Sequence, residues 1–348
     1  MIDVLKTSSY DFNLPHGQIA TFPVNPASSA KMLVYNREKN EIFHSTFENI
    51  LEFLPQDLTI FLNDTKVIKA RIFGKKSTGA KIELLLNKPL LNKPLFMDRY
   101  LVMIKGKVKV GTKIFFDENL IAEVLELNED GTRVIEFFQD ENSKKRVDFL
   151  SLVEILNKIG HIPLPSYMQR EDKKEDELNY QTLFAKNYGA VAAPTASLHF
   201  TTELLEKIEK KYGLNYLTLH VGAGTFKPVD VEDILSHPMH SEYFEIGIDA
   251  KKNLDNAKKV LAVGTTVTRT IEYYARTNKI QGECDLFLNP MNKPIKVDYL
   301  LTNFHLPKST LIMLVASFIG LEKTLELYNI AIKENYRFYS YGDGMLII

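Results

Sequence analysis

Residues 217–246 read LTLHVGAGTFKPVDVEDILSHPMHSEYFEI and gather His220, Lys227, His237, His240 and Glu242 behind a glycine turn. The β-branched and aromatic run 216–221 predicts a strand, and Gly222 and Gly224 let the chain turn tightly or approach a ligand closely. A dinucleotide-binding turn needs a third glycine three residues on, with a helix behind it. Lys227 and Pro228 stand there instead, so that fingerprint is excluded. The functional groups are expected on the loop that ends this strand.

Outward from this stretch, strand and helix alternate. Residues 59–62 form a short apolar strand running into Asn63, Asp64 and Thr65, and 151–159 an amphipathic helix. Residues 201–212 form a helix with threonine caps and Gly213 as its stop, and 214–219 the strand that follows. Helix 250–258, strand 259–263, helix 267–276, strand 297–301 and helix 311–320 complete the pattern. It predicts an α/β class fold, a layered main domain with ligand loops at the carboxyl ends of its strands.

A different texture interrupts it. Residues 80–86, 99–104, 112–116, 121–127 and 132–138 read as short strands punctuated by Gly79, Gly106, Gly111 and 128–131, which predicts a small antiparallel barrel or sandwich. The expected division is residues 67–149 as an inserted domain, with 1–66 and 150–348 as the main domain. Charge follows the insert: residues 66–113 hold thirteen Lys or Arg against Glu83 and Asp98, whereas 114–141 hold nine acids against Arg133 alone. A basic face is expected where the fold separates the two signs. The LNKPL repeat at 86–95 carries two prolines that remove ladder donors and reads as a duplication in a hairpin loop. The run EDKKEDE at 171–177 reads as a solvated loop.

The chain has 348 residues, 45% of them hydrophobic, enough for about two domains with buried cores, and a net charge of −1, which argues against a generic nucleic-acid binder. Its longest apolar run, 311–319, is far short of the roughly 18 residues of a membrane span. With no signal-like start, a cytoplasmic protein with no membrane partner is expected. The single cysteine, Cys284, excludes an internal disulfide and any Cys-rich zinc site.

Three strand ends carry chemistry. The first is the glycine loop. The second, Gly264, Thr265 and Thr266 with Arg269 one turn on, collects N–H groups at a helix N-terminus, where anions bind. The third, Thr302, Asn303 and His305 before Pro307, offers a candidate acid or base. The small-residue run 188–200, which carries His199, is a fourth candidate. No histidine pair has the short helical spacing of a zinc site, so metal is the weaker reading.

The strings AVAAPTASLHF, LTLHVGAGTFKPV, HPMHSEYFEI, AVGTTVTR, LLTNFHLPKSTLIMLVASFIG and YRFYSYGDGM resemble the S-adenosylmethionine:tRNA ribosyltransferase-isomerases of queuosine biosynthesis. The resemblance runs from 11–15 and 19–23 through FLNDTKVIKARIFG and IGHIPLP to the tail, so it covers nearly the whole chain. It implies an α/β domain carrying an inserted β-barrel. It also implies transfer and isomerisation of the ribosyl part of S-adenosylmethionine onto 7-aminomethyl-7-deazaguanine at the tRNA wobble position, giving epoxyqueuosine with release of adenine and methionine. Three positions depart from the pattern: Lys66 and Lys69 stand where Arg and Pro are expected, and Met291 where Gly is usual.

That chemistry needs a base beside the sulfonium, an acid for adenine and a group to deprotonate the amine. His220, His240, Glu242 and His305 are the candidate catalytic groups, with acid and base unassigned. Gly222, Gly224, Thr225, Gly264, Thr265, Thr266 and Asn303 are expected around S-adenosylmethionine, with Arg269 on its carboxylate and Glu242, Tyr243 or Phe226 near its sulfonium. No metal is expected. The partner is a tRNA bearing the modified base in its anticodon loop, with Lys66, Lys69, Arg71, Lys75 and Lys76 on its phosphates and Tyr336, Phe338, Tyr339 and Tyr341 as stacking candidates. A monomer is favoured. The competing classes are a small-molecule methyltransferase and a non-catalytic RNA-binding module.

Overall fold

Strands buried on both faces need continuous apolar runs, and the sequence supplies them at Leu58–Asn63, Lys259–Val263 and Tyr299–Asn303. In the computed structural model, which describes residues 2–89, 99–141, 145–222, 224 and 229–348, these pair in parallel with Asn215–Leu219. Side chains alternate between two cores: Val260 and Ala262 pack into one, Leu261 and Val263 into the other. The sheet has nine strands. Glu242–Glu245 and Gln281–Cys284 extend it antiparallel at one edge, and Gly344–Ile347, Lys31–Asn36 and Glu41–Thr46 extend it at the other.

Helix ends fall where the caps require. Asp148, Thr201 and Ser309 accept N-terminal N–H groups of helices Phe149–Ile159, Thr202–Tyr212 and Thr310–Ile319. Gly213, at φ 69°, stops the second.

The inserted sheet closes on itself. Thr132–Gln139 pairs with both Arg99–Lys105 and Leu120–Leu127; Lys81–Pro89, Arg71–Lys76 and Lys113–Phe115 complete the ring. This antiparallel barrel has six strands, one more than the strand texture predicts. Arg71–Lys76 reads RIFGKK and fully buries only Ile72, so alternation is too weak to reveal it. Helix Phe149–Ile159 closes the barrel core with Leu152, Val153 and Leu156. The chain leaves and rejoins the main sheet through Thr65–Val67 and Asn187–Ala190, which pair in parallel.

Two readings are corrected. The acidic run 171–177 is exposed at 171, 173–175 and 177, as a solvated loop should be, but two of its acids are structural: Asp176 is 2% exposed, accepts two hydrogen bonds from Arg170 at 2.7 Å each and another from Tyr341 at 3.1 Å, and Asp172 holds the His161 ring. Tyr336, Phe338 and Tyr341 are core residues, packed around Phe304, Tyr328 and Tyr180, so they present no ring for a base to stack on. Among the described residues, no helix is long and apolar enough to cross a membrane.

Candidate active site

Because the four central strands are parallel and adjacent, their carboxyl ends open on one side of the sheet. Asn63 ties three of these ends together. Fully buried, it donates from Nδ2 to the Leu219 carbonyl at 2.9 Å and the Thr266 hydroxyl at 3.2 Å, and accepts on Oδ1 from the N–H groups of Leu219 and Thr65. Every one of its polar atoms is used, which fixes the loops relative to each other.

The first space is a charged cleft of about 260 Å³ between the sheet edge and the barrel. His220, His240, Glu242 and Glu283 line it from the main domain, Lys88 and Asp130 from the barrel. Glu242 is 4% exposed, forms an ion pair with Arg269 and accepts from the Gly222 N–H at 3.0 Å. Arg269 also donates to the carbonyls of Leu286 and Cys284 at 3.0 and 3.1 Å. Burial works to lower the Arg269 pKa, and the Glu242 charge overrides it, so the guanidinium stays cationic. His220 hydrogen-bonds Thr65 Oγ1 through Nδ1 at 2.8 Å and stacks on Tyr243. Burial pushes its imidazole down to about 4, so the ring is neutral at pH 7. Lys88 crosses from the barrel to Glu283 at 2.9 Å and to Ser241 at 3.2 Å, clasping the two domains over the cleft.

Close approach explains two glycines here. A Cβ on Gly224 would sit 2.7 Å from the His240 ring, and one on Gly189 would sit 2.8 Å from the His220 ring. Deeper in, a void of about 40 Å³ is lined by Arg269, His237, Thr265 and Thr266 and again by His240 and Glu242. Helix Thr265–Thr277 begins at it. Its cap residue is Gly264, at φ 98°, with no side chain to satisfy the first-turn N–H groups, which leaves a place for an anion.

Thr265 and Thr266 also line a third space, a slot of about 240 Å³ with Gly264, Asn303, His305, Tyr180 and Tyr339 around it. His305 bonds Thr302 Oγ1 through Nε2 at 2.9 Å, and burial lowers it to about 3. His199 lines none of the three spaces: it packs on Phe47 and accepts from Asn303, a structural position, and burial lowers it too to about 3.

The structure thus brings His220, His240, Glu242, Gly222 and Gly224 to the cleft, Arg269, Thr265 and Thr266 to the void, and His305, Asn303 and Gly264 to the slot. Arg269 is held by Glu242, where the sequence suggested a substrate carboxylate, and Tyr243 covers His220. Thr225, Phe226 and Lys227 lie outside the described residues. The basic residues separate: Lys66 sits over the Tyr188 ring at 4.6 Å, Lys69 pairs with Glu177, and Arg71 with Glu83 and Glu171. Lys76 donates to the Lys107 carbonyl, and Lys75 is exposed. The barrel's polar share of the cleft, Asn87, Lys88, Asp130 and Thr132, beside Leu101 and Met103, went unseen in the sequence. The first LNKPL copy was its one signal. Among the described residues, no group of three His, Cys, Asp or Glu is placed to hold a metal ion.

Comparison with known proteins finds the same architecture and more. The family described as queuosine biosynthesis protein matches residues 7–347. The S-adenosylmethionine:tRNA ribosyltransferase-isomerase of Aliarcobacter butzleri is 82% identical over all of both chains, and that of a Nitratiruptor species 60% identical, also over all of both. The crystal structure of an S-adenosylmethionine tRNA ribosyltransferase from Thermotoga maritima is 32% identical, covers 98% of this chain and 100% of its own, and superposes with a TM-score of 0.53.

Proposed function

Because the chain belongs to the queuosine biosynthesis family of S-adenosylmethionine:tRNA ribosyltransferase-isomerases, we propose that its charged cleft takes the modified wobble base and that S-adenosylmethionine lies across the helix N-terminus beside it. The chain transfers and isomerises the ribosyl moiety of S-adenosylmethionine onto the aminomethyl group of 7-aminomethyl-7-deazaguanine in tRNA. Epoxyqueuosine forms; adenine and methionine leave. The observation that carries the placement is that His240 and Glu242 line both the barrel-roofed cleft and the void at the helix end, so two substrates meet over the same two side chains.

The roles follow from charge. The aminomethyl group is a cation before it reacts, and the cleft offers it Asp130, Glu242 and Glu283. Glu242, held by Arg269, also faces the sulfonium, and the first-turn N–H groups of Thr265 and Thr266 receive the methionine carboxylate. The sulfonium acidifies the adjacent ribose carbon. His220, neutral and anchored through Nδ1, has Nε2 left to accept that proton. No metal is needed, since methionine departs from the sulfonium as a neutral thioether and adenine is the other leaving group. Barrel and sheet of one chain complete the cleft, so a monomer in the cytoplasm suffices.

The test is to incubate the protein with S-adenosylmethionine and tRNA bearing the aminomethyl-deazaguanine. Adenine released only in the presence of that tRNA, in step with a mass gain on the nucleoside, is the expected result. S-adenosylhomocysteine with a methylated nucleoside would contradict it.

A further inference from the structure

We infer that the slot lined by residues 192–196, Tyr180 and Tyr339 is an adenine subsite, which seats the purine of S-adenosylmethionine during transfer and retains the free base after the glycosidic bond breaks. This rests on the activity proposed above and adds where the leaving group goes.

Charge selects the ligand. Among the described residues, no Lys, Arg, Asp or Glu lines the slot, in contrast to the cleft, where Asp130, Glu242 and Glu283 outnumber Lys88. A base carrying an aminomethyl cation gains from the cleft's carboxylates, whereas a neutral purine has nothing to gain there and desolvates cheaply in the slot. Size agrees: about 240 Å³ falls below the roughly 300–1,000 Å³ that encloses a whole drug-sized ligand, so the slot takes one ring system.

The lining is small and aromatic. Ala192, Ala193 and Ala196 are nearly fully buried and offer only methyl groups to it. Tyr339 and Tyr167 line it as well, their ring centroids 4.0 Å apart. Tyr339 has φ 75°, a left-handed backbone that an aromatic residue adopts only where surrounding structure imposes it, and such residues collect at ligand sites.

One polar atom is waiting. The Tyr180 hydroxyl is buried, lines the slot and makes no hydrogen bond; Ser340 and the Ala193 backbone approach it without closing one. A buried hydroxyl left this way costs free energy that a ligand acceptor would recover. Burial raises its pKa, so it keeps its proton and can donate to a ring nitrogen of adenine. Thr265 and Thr266, which border both slot and void, then bracket the ribose between adenine and sulfonium. When the C1′–N9 bond breaks, its electron pair stays on N9, and the proton given up by the attacking amine balances the one adenine gains.

The experiment is product inhibition by free adenine, with direct titration of adenine into the full-length protein. Adenine should inhibit competitively against S-adenosylmethionine and not against tRNA. Tyr180→Phe should bind adenine about tenfold more weakly at a melting temperature no lower than the parent's. Ala193→Leu, which fills the slot, should lose S-adenosylmethionine binding while keeping tRNA binding, the retained tRNA binding showing that it folds. Adenine competing with tRNA, or Tyr180→Phe binding adenine as tightly as the parent, overturns the subsite even if ribosyl transfer proceeds. Adenine binding in the slot of a protein that transfers no ribosyl group would instead overturn the activity and leave the subsite standing.

Discussion

Two spaces adjoin the void at one helix N-terminus and are built on opposite terms. The cleft is charged, roofed by a second domain and lined by an ion pair. The slot is uncharged, made from the main domain alone and walled by alanines and tyrosines. Both contain a neutral histidine hydrogen-bonded to a threonine, His220 to Thr65 and His305 to Thr302, so the histidines do not distinguish them. The carboxylates do. On the proposed placement, a cationic substrate and a neutral leaving group are sorted by where the fold puts its acids, with the same parallel strands supplying both sides.

The most damaging way to break that contrast is to remove the charge at its centre. Glu242→Gln leaves Arg269 buried without its counter-ion, and turnover should fall about 10² to 10⁴-fold. Stability should drop by about 3 to 5 kcal/mol, read by chemical denaturation. His220→Gln should lower turnover by about 10²-fold or more. Because the folded His220 titrates near 4, the parent's rate should stay level between pH 6 and 8 on this limb and fall only as pH approaches 4. A fall centred at 6.5 would show an unshifted imidazole.

Smaller shifts test positioning. Gly224→Ala and Gly189→Ala push a methyl into the His240 and His220 rings and should each cost about 10 to 100-fold in turnover. Gly213→Ala, with nothing within 4 Å, should cost about 1 kcal/mol of stability from its positive φ and leave turnover unchanged.

Acid should act on stability through His199, His220 and His305. Their folded pKa values, about 3, 4 and 3, lie below the ordinary 6.5 because of burial. Above pH 6.5 neither folded nor unfolded chain protonates them. Below it the unfolded chain takes up protons that the folded one refuses, so stability falls as pH falls towards 4, by about 1.4 kcal/mol per pH unit for each ring. Denaturation at pH 7, 6 and 5 measures the slope. The smallest effect is on RNA. Lys69→Gln should leave the salt dependence of tRNA binding unchanged, because Glu177 already holds Lys69, whereas exposed Lys75→Gln should lower its slope by about 1.

The alternation of helices and strands and the loops at strand ends were legible because they rest on local patterns: apolar runs, threonine caps and a terminating Gly213. What brings the site together is non-local. Lys88 and Asp130 are distant in sequence from Glu242 and share its cleft only because the barrel folds back over the sheet edge. Arg71–Lys76 hides as a strand because its partners, not its own side chains, define it. Tyr180 and Tyr339 read as ordinary aromatics. Only the unused hydroxyl of one and the left-handed backbone of the other mark the slot, and neither is written in residue type.

The most direct test is a single-turnover experiment with the parent and Glu242→Gln at saturating S-adenosylmethionine and modified tRNA, measuring adenine, epoxyqueuosine and bound tRNA together. The predicted result is that the variant holds tRNA within about threefold of the parent, while adenine and epoxyqueuosine formation fall together by at least about 10²-fold. A folded variant that forms both products at the parent's rate would contradict the placement of the reaction over Glu242.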